Sequence, residues 1–228
     1  MNRALNALDA SVARKQLLTH PFYQAWVRGE LTRAALQDYA TQYYPHVAAF
    51  PTYLSALHSS MDDAAARRVI LQNLVDEEGT DPTHPELWLR FAEAVGAERS
   101  QVLHAQAWPE TINLVVNSFR AACATGNPVD GLAALYAYES QIPAVARTKI
   151  EGLQRFYAVD TRDGLAYFRV HIKADEQHAS AERALLAHLM AGQGIEHCPA
   201  SVNTVLDALW SLLSAVCTRH GLAALQEA

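Results

Sequence analysis

The sequence predicts an all-α protein: a compact bundle of about seven or more helices that forms a single domain over residues 1–228. Apolar residues recur at steps of three and four along most of the chain, which is the periodicity of helices with one buried face. No run of alternating β-branched residues is long enough to predict a strand. Hydrophobic residues make up 50% of the chain, enough for one sizeable core, and no internal repeat or long linker divides it.

Caps, glycines and prolines predict where the helices begin and end. Thr32 is expected to cap a long helix that Pro45 and Pro51 kink, because an interior proline removes a backbone hydrogen bond. In chain order, the predicted helices cover residues 3–18, Pro21 to a stop at Gly29, Thr32 to about 59, Asp62 or Asp63 to Gly79, 81–95, 109–124, 128–142, 143–157, Asp160 to about 192, and 201–225, with one helical turn between 96 and 107.

The composition argues against several classes of partner. A net charge of −6 disfavours nucleic acid and anionic membranes. Cys123, Cys198 and Cys217 are an odd number of widely spaced cysteines, as expected of reduced thiols in a cytoplasm. Residues 1–15 mix charged and apolar side chains, so we expect no signal peptide, and no segment is expected to span a membrane. We therefore predict a cytoplasmic protein.

Residues 167–178 carry imidazoles and a carboxylate on a helix face that should be buried. If this stretch is helical, one line along its surface contains Leu165, Phe168, His171, Asp175, His178, Glu182, Leu185 and Leu189. Both ends of the line are apolar, and burial of its polar middle without partners would be costly. Two histidines and one carboxylate that converge indicate a metal ion. A metal-free polar network and a solvent-facing seam remain alternatives.

Three other predicted helices each place one potential ligand on an otherwise apolar line: Glu77, His84 and Glu139. Each has an ordinary alternative interpretation. Glu77 belongs to a short acidic run of the kind that is usually solvated, and His84 lies in a first helical turn, where surface histidines are common. Glu139 could pair with Arg147 or Lys149. Their occurrence together on apolar lines favours a shared site.

The complete candidate set has three carboxylates and three imidazoles: Glu77, His84, Glu139, His171, Asp175 and His178. Crowded carboxylates repel one another and raise one another's pKa values unless cations neutralise them. Two divalent ions bring four positive charges against three negative ones, which leaves room for a bridging hydroxide or dioxygen. Carboxylate and imidazole ligands favour iron or manganese, and helical bundles are known hosts of paired metals.

Several phrases resemble the haem-oxygenase-like di-metal oxygenases. They are Glu77-Glu-Gly-Thr, His84-Pro-Glu-Leu-Trp88, Tyr138-Glu139 and Tyr167-Phe-x-x-His171-x-x-x-Asp175-x-x-His178. One branch is especially similar, that of the chlamydial protein associating with death domains and its bacterial relatives, which is implicated in an alternative synthesis of para-aminobenzoate for folate. The resemblance runs from about Tyr23 to the last helix. It implies a haem-oxygenase-like bundle and a homodimer.

The resemblance also implies a reaction. Members of this branch are thought to make para-aminobenzoate from their own tyrosine side chain, with O2 and a reductant, at an Fe/Fe or Fe/Mn centre. The sacrificed tyrosine matches Tyr23, and the lysine that supplies the amino nitrogen matches Lys149. Tyr138 and Tyr167 match further tyrosines of the site. From the residues alone, Tyr23 is equally a core aromatic and Lys149 equally a snorkelling surface residue.

Two other functions remain open. The metals could instead act catalytically on an external amine, amino acid or fatty acid. Alternatively, the chain could be a non-enzymatic protein-binding module, as the death-domain association of the chlamydial branch suggests. Two superfamily cousins, the cofactor-free enzyme that closes the pyrroloquinoline quinone ring and a thiamin-degrading enzyme that uses a cysteine, do not need the six ligands.

Overall fold

A computed structural model describes residues 3–104, 110–125, 127–193 and 199–222. These ranges contain helices and no strand, so the predicted all-α class is confirmed. The helices are α1 (Arg3–Arg14), α2 (Pro21–Arg28), α3 (Arg33–Ser60), α4 (Ala64–Glu78), α5 (His84–Ala94), α6 (Arg99–His104), α7 (Glu110–Ala124), α8 (Pro128–Glu139), α9 (Ile142–Phe156), α10 (Arg162–Gly192) and α11 (Ala200–Arg219).

The first predicted helix is too long. It ends at Arg14, and a separate 3-10 turn covers Leu17–Thr19. The break has a physical cause, because the backbone N–H of Leu17 donates to the side chain of Gln141 at 2.7 Å instead of continuing the helical ladder. α2 then begins at Pro21, and the ring of His20 accepts a hydrogen bond from the backbone N–H of Phe22.

Four other predicted boundaries are wrong by a few residues. α5 begins at His84, two residues after Pro82, and Thr83 takes the N-cap position. α10 is capped by Thr161, whose hydroxyl accepts from the N–H of Gly164, instead of by Asp160. The helix predicted over 128–142 ends at Glu139. The last helix, predicted to reach about residue 225, ends at Arg219. The predicted start at 109 and the reduced state of Cys198 lie outside the described residues.

The long helix α10 is the central element of the bundle, because α4, α5, α8 and α9 all pack against it. Its buried line agrees with the prediction from Leu165 to Glu182, then departs from it. Leu186 and Met190 are buried where Leu185 and Leu189 were expected, and the latter two are only half-buried. A strict three-and-four alternation drifts around a straight helix of 3.6 residues per turn, so the buried stripe moves.

Helix α11 qualifies the expectation that no segment reaches membrane-spanning length. Ala200–Arg219 is 20 residues long and predominantly apolar. Half of its most apolar stretch of 18 residues is buried inside the protein, and α11 packs against α7 and α8. A core helix passes the same test of length and composition, so the helix is only weak support for a membrane span.

Candidate metal centre

The helices around α10 bring all six predicted ligands into two groups. Glu77 lies in the last turn of α4, His84 in the first turn of α5, and Glu139 at the end of α8. The first triad is Glu77, His84 and His171, and the second triad is Glu139, Asp175 and His178. Within each triad, one potential ligand atom per residue lies within 4.8 Å of the others. All six residues are buried, so the solvated alternatives for Glu77 and His84 do not hold.

The first triad presents two nitrogen atoms to one carboxylate. His84 Nδ1 lies 2.9 Å from Glu77 Oε2 in a geometry that is not that of a hydrogen bond, and His171 Nε2 lies 3.8 Å from Glu77 Oε1. The tautomer of His171 follows from its other ring nitrogen. Nδ1 lies 2.7 Å from the carbonyl of Tyr167, which can only accept, so Nδ1 carries the proton. The lone pair of Nε2 therefore faces the triad, as in histidines that bind metals.

The second triad is held by two residues outside it. His178 Nε2 lies 2.8 Å from Asp76 Oδ2, which leaves Nδ1 facing the triad, 3.7 Å from Asp175 Oδ1. The Asn73 amide donates to both oxygens of Glu139, at 2.9 and 3.2 Å. Carboxylate–histidine and amide–carboxylate contacts of this kind orient the side chains that bind a metal. Glu139 does not pair with Arg147, which contacts Glu176, or with Lys149.

The electrostatics of this cluster are those of a site that lacks compensating charge. Burial, followed by the neighbouring carboxylates, raises the pKa of Asp175, and burial raises that of Glu139. Burial lowers the pKa of His171 to about 4. Burial also lowers the pKa of His178, but the nearby carboxylates of Asp175, Glu139 and Asp76 outweigh this and raise it to about 9.

Unpartnered polar atoms also indicate a cation site in this cluster. Asp175 Oδ2, His178 Nδ1 and His84 Nδ1 are buried without a hydrogen-bond partner. Such atoms are costly in a protein interior unless something binds them. Imidazole nitrogens and carboxylate oxygens that converge from four helices fit divalent transition metals. Glu77 and His171 of the first triad and Glu139 and Asp175 of the second line one cavity of about 10 Å³, room for about one water-sized molecule.

A cluster of tyrosines lies beside the metal centre, and Lys149 is buried within it. Its members are Tyr23, Tyr39, Tyr43, Tyr138 and Tyr167. The Lys149 amine donates to the Tyr39 hydroxyl at 2.6 Å, and the Tyr43 hydroxyl donates to that of Tyr138 at 2.9 Å. A second cavity of about 10 Å³ is lined by both Lys149 and His171 of the first triad. The amine and the first triad thus border the same small space.

Tyr23 and Lys149 are both interior residues, so the snorkelling alternative for Lys149 does not hold. Lys149 is 4% exposed and Tyr23 is 2% exposed. Burial lowers the pKa of Lys149 to about 7. Burial raises the pKa of Tyr23, and a hydrogen bond with Tyr39 partly offsets the rise. At neutral pH a large fraction of Lys149 is therefore a neutral amine with a free lone pair.

Replacing Lys149 by methionine is expected to stabilise the metal-free protein. The pKa of Lys149 is about 7 in the folded protein against an ordinary 10.5, so the unfolded chain binds more protons between those pH values. The free-energy cost that Lys149 adds to folding is greatest below pH 7 and disappears as the pH approaches 10.5. The gain at pH 6 should be on the order of 4 kcal/mol, less about 1 kcal/mol for the lost Tyr39 hydrogen bond. Urea unfolding at pH 6, 8 and 9.5 measures it. A difference between the proteins that is constant with pH would contradict the prediction.

Sequence reasoning did not assign several residues that border the site. Tyr39 and Tyr43 are buried residues of α3, and Asn73 lies on the buried face of α4, four residues before Glu77. His46 also lines the metal cavity, and its Nε2 is buried without a partner. Glu182 stood on the predicted line of α10, four residues after His178, but outside the proposed ligand set. That helical spacing was the signal that could have included it.

The fold and the two triads define a haem-oxygenase-like protein with two candidate metal-binding triads. Residues 37–211 match the model of a family described as iron-containing redox enzymes. The chain belongs to this haem-oxygenase-like enzyme family, as the resemblance implied.

Its curated relatives include 4-aminobenzoate synthases, and 4-aminobenzoate is para-aminobenzoate. The one from Chlamydia pneumoniae is 41% identical over 94% of this chain and 95% of the relative. The one from Nitrosomonas europaea is 40% identical over 92% of this chain and 89% of the relative.

Two solved structures share the fold. One is a domain of unknown function with a heme oxygenase-like fold from Shewanella denitrificans, at a TM-score of 0.74 and 20% identity over 96% of this chain and 94% of that one. The other is a TenA homologue from Pseudomonas syringae pv. tomato, at a TM-score of 0.76 and 14% identity over 94% and 91%. At these identities the likeness concerns the fold alone.

Proposed function

We propose that this protein is a self-sacrificing oxygenase that makes para-aminobenzoate from the side chain of Tyr23, with the amino nitrogen of Lys149. The relatives named 4-aminobenzoate synthase support the product. The observation that carries the internal chemistry is the position of Lys149. Its buried amine contacts the tyrosine cluster and borders the same cavity as His171. Such surroundings are unusual for a lysine, because burial of a cation is costly.

The two triads are the residues that would hold the metals, either two iron ions or iron with manganese. When bound, the metals would supply the oxidising power of O2 to the site. Glu77, His84 and His171 would hold one ion, and Glu139, Asp175 and His178 the other. Asp76 and Asn73 would keep the His178 ring and the Glu139 carboxylate in orientation.

The protein's own residues then have distinct roles. The low dielectric around Lys149 keeps its amine neutral and nucleophilic near pH 7. Tyr39 orients that amine through the 2.6 Å hydrogen bond and also contacts Tyr23 through its hydroxyl. Tyr43 and Tyr138, whose hydroxyls are hydrogen-bonded, link Tyr39 and Lys149 to the wall of the cavity between the triads. Tyr167 stacks near His171, with ring centroids 4.1 Å apart.

The covalent changes all concern Tyr23 and Lys149. The Cα–Cβ bond of Tyr23 breaks, and Cβ is oxidised to the carboxyl group of the product while O2 is reduced. Cα of residue 23 takes up a hydrogen and becomes the Cα of a glycine. The Cε–Nζ bond of Lys149 also breaks, and Cε is oxidised to an aldehyde. Nζ forms a bond to the ring carbon that carried the hydroxyl, and that oxygen leaves as water. Two molecules of O2, with two electrons and two protons from an external reductant, balance these changes and yield two molecules of water in total. Each chain is consumed, so the yield should not exceed about one product per chain.

Exposure of the metal-loaded protein to O2 tests this proposal. Protein loaded with Fe(II), or with iron and manganese, should release para-aminobenzoate when reductant and O2 are added and no organic substrate is present. Intact-mass and peptide mass spectra should show the loss of the aryl group at Tyr23 in proportion to the product. Product without any change in the mass of the chain would contradict the proposal.

A second candidate is catalytic oxidation of an external small molecule. It is favoured by a surface cavity of about 710 Å³ beside the first triad, with His84 in its wall and Arg90, Arg169 and Lys173 around it. Added amines, amino acids or fatty acids would then be oxidised over many turnovers without change to the chain. A purely protein-binding role is distinguished more simply, since such a protein should purify without stoichiometric iron or manganese.

A further inference from the structure

Glu182 is a buried carboxylate whose two oxygens have no hydrogen-bond partner. The residue is 1% exposed and lies on α10, one helical turn after His178. Asp175, His178 and Glu182 occur at spacings of three and four residues, so their side chains project from one face of the helix. Glu182 therefore continues the line of candidate ligands by one turn along α10.

The surroundings of Glu182 are polar on the side of the second triad. It lies close enough to Glu139 that each carboxylate affects the pKa of the other. A cavity of about 410 Å³ between α4 and α10 is lined by Glu182, His178, Asn73 and Asp76. Among the residues that the structure describes, no lysine or arginine forms an ion pair with Glu182.

Two explanations account for such a group. Glu182 could be protonated and serve only as a hydrogen-bond donor to Glu139, in the manner of an amide. Alternatively, Glu182 is ionised in the metal-loaded protein because a cation binds it. Charge favours the second explanation. Glu77, Glu139, Asp175 and Glu182 together carry four negative charges, which two divalent ions neutralise without any further anion.

We propose that Glu182 is a seventh protein ligand of the metal centre, bound to the ion that the second triad holds. That ion then has three carboxylates and one imidazole, whereas the ion of the first triad has two imidazoles and one carboxylate. An oxygen-rich donor set suits manganese or iron, and the imidazole-rich set is the softer of the two. The two sites therefore differ in chemistry, and Glu182 is the residue that makes the second one acidic. This inference rests on the metal centre of the proposed function but not on the identity of the substrate.

The variant Glu182→Gln separates the two explanations. Glutamine has nearly the same shape and can still donate a hydrogen bond to Glu139, but it is a neutral and much weaker metal ligand. The control is Glu176→Gln on the same helix, where the exposed carboxylate contacts Arg147. Mn(II) is titrated into the metal-free wild type and both variants, and electron paramagnetic resonance of free Mn(II) gives stoichiometry and affinity. Circular dichroism and thermal unfolding of the metal-free proteins verify the fold.

We expect wild type and Glu176→Gln to bind two equivalents of Mn(II). Glu182→Gln should bind one equivalent normally and the second at least 10-fold more weakly, and Mn(II) should raise its unfolding temperature less than that of the wild type. A correctly folded Glu182→Gln that binds both equivalents like the wild type would overturn the inference and leave the proposed function intact. If the wild type binds no Mn(II) or Fe(II), the proposed metal centre itself is wrong.

If Glu182→Gln does not fold, Glu182→Asp replaces it, because aspartate retains the charge on a shorter side chain. Glu182→Asp is expected to bind two equivalents, the second more weakly than the wild type does. Unchanged affinity in that variant would overturn the inference.

Discussion

Tyr23→Phe is expected to release no para-aminobenzoate, a loss of at least 100-fold relative to the wild type. Phenylalanine keeps the ring but lacks the hydroxyl, so the ring is harder to oxidise and has no oxygen for nitrogen to replace. The fold should survive, because the ring contacts, such as that with Phe22 at 5.3 Å, are retained. The lost hydrogen bond costs about 1 kcal/mol. Product per chain is measured by mass spectrometry after one exposure to O2.

The matched control for this variant is Tyr136→Phe. Tyr136 is also buried on the bundle side of α8, but its hydroxyl donates to Asp9 at 2.9 Å, away from the metal centre. Its product yield should equal that of the wild type. Both variants should retain the wild-type metal content, since neither residue belongs to a triad. Wild-type yield from Tyr23→Phe would refute the internal substrate while leaving the metal centre in place.

The bundle and the burial of the six candidate ligands were predictable for the same physical reason. A helix that packs on one face repeats its buried residues every three to four positions, so polar residues on that line must be buried. His171, Asp175 and His178 stood out because they interrupt such a line. Glu77 and Glu139 stood out likewise in shorter helices. The sequence therefore predicted which side chains enter the interior, and the structure groups those side chains into triads.

Details that depend on contacts between helices were not predictable. The end of α1 depends on a hydrogen bond from Leu17 to Gln141, 124 residues away, and no local signal marks it. Tyr39 is an ordinary core aromatic in the sequence, and only the approach of α9 to α3 makes it the partner of Lys149. The division of six ligands into two triads is also a property of helix packing. Periodicity gives the face of a helix but not its neighbours.

The nitrogen of Lys149 should appear in the product. The chain contains Lys15, Lys149 and Lys173, so protein made with lysine labelled with ¹⁵N at Nζ, and otherwise unlabelled, should release para-aminobenzoate that is one mass unit heavier. Lys149→Met should abolish that product, by at least 100-fold, because methionine fills a similar volume but has no nitrogen to give. Lys173→Met, at an exposed position of α10, is expected to give the wild-type yield of labelled product.

Unlabelled product from the labelled wild type would show that the nitrogen has another source. This conclusion would hold even if Lys149→Met were inactive, since loss of activity alone could reflect altered packing around Tyr39. The label follows the atom itself, so it distinguishes a donor from a residue that only shapes the site.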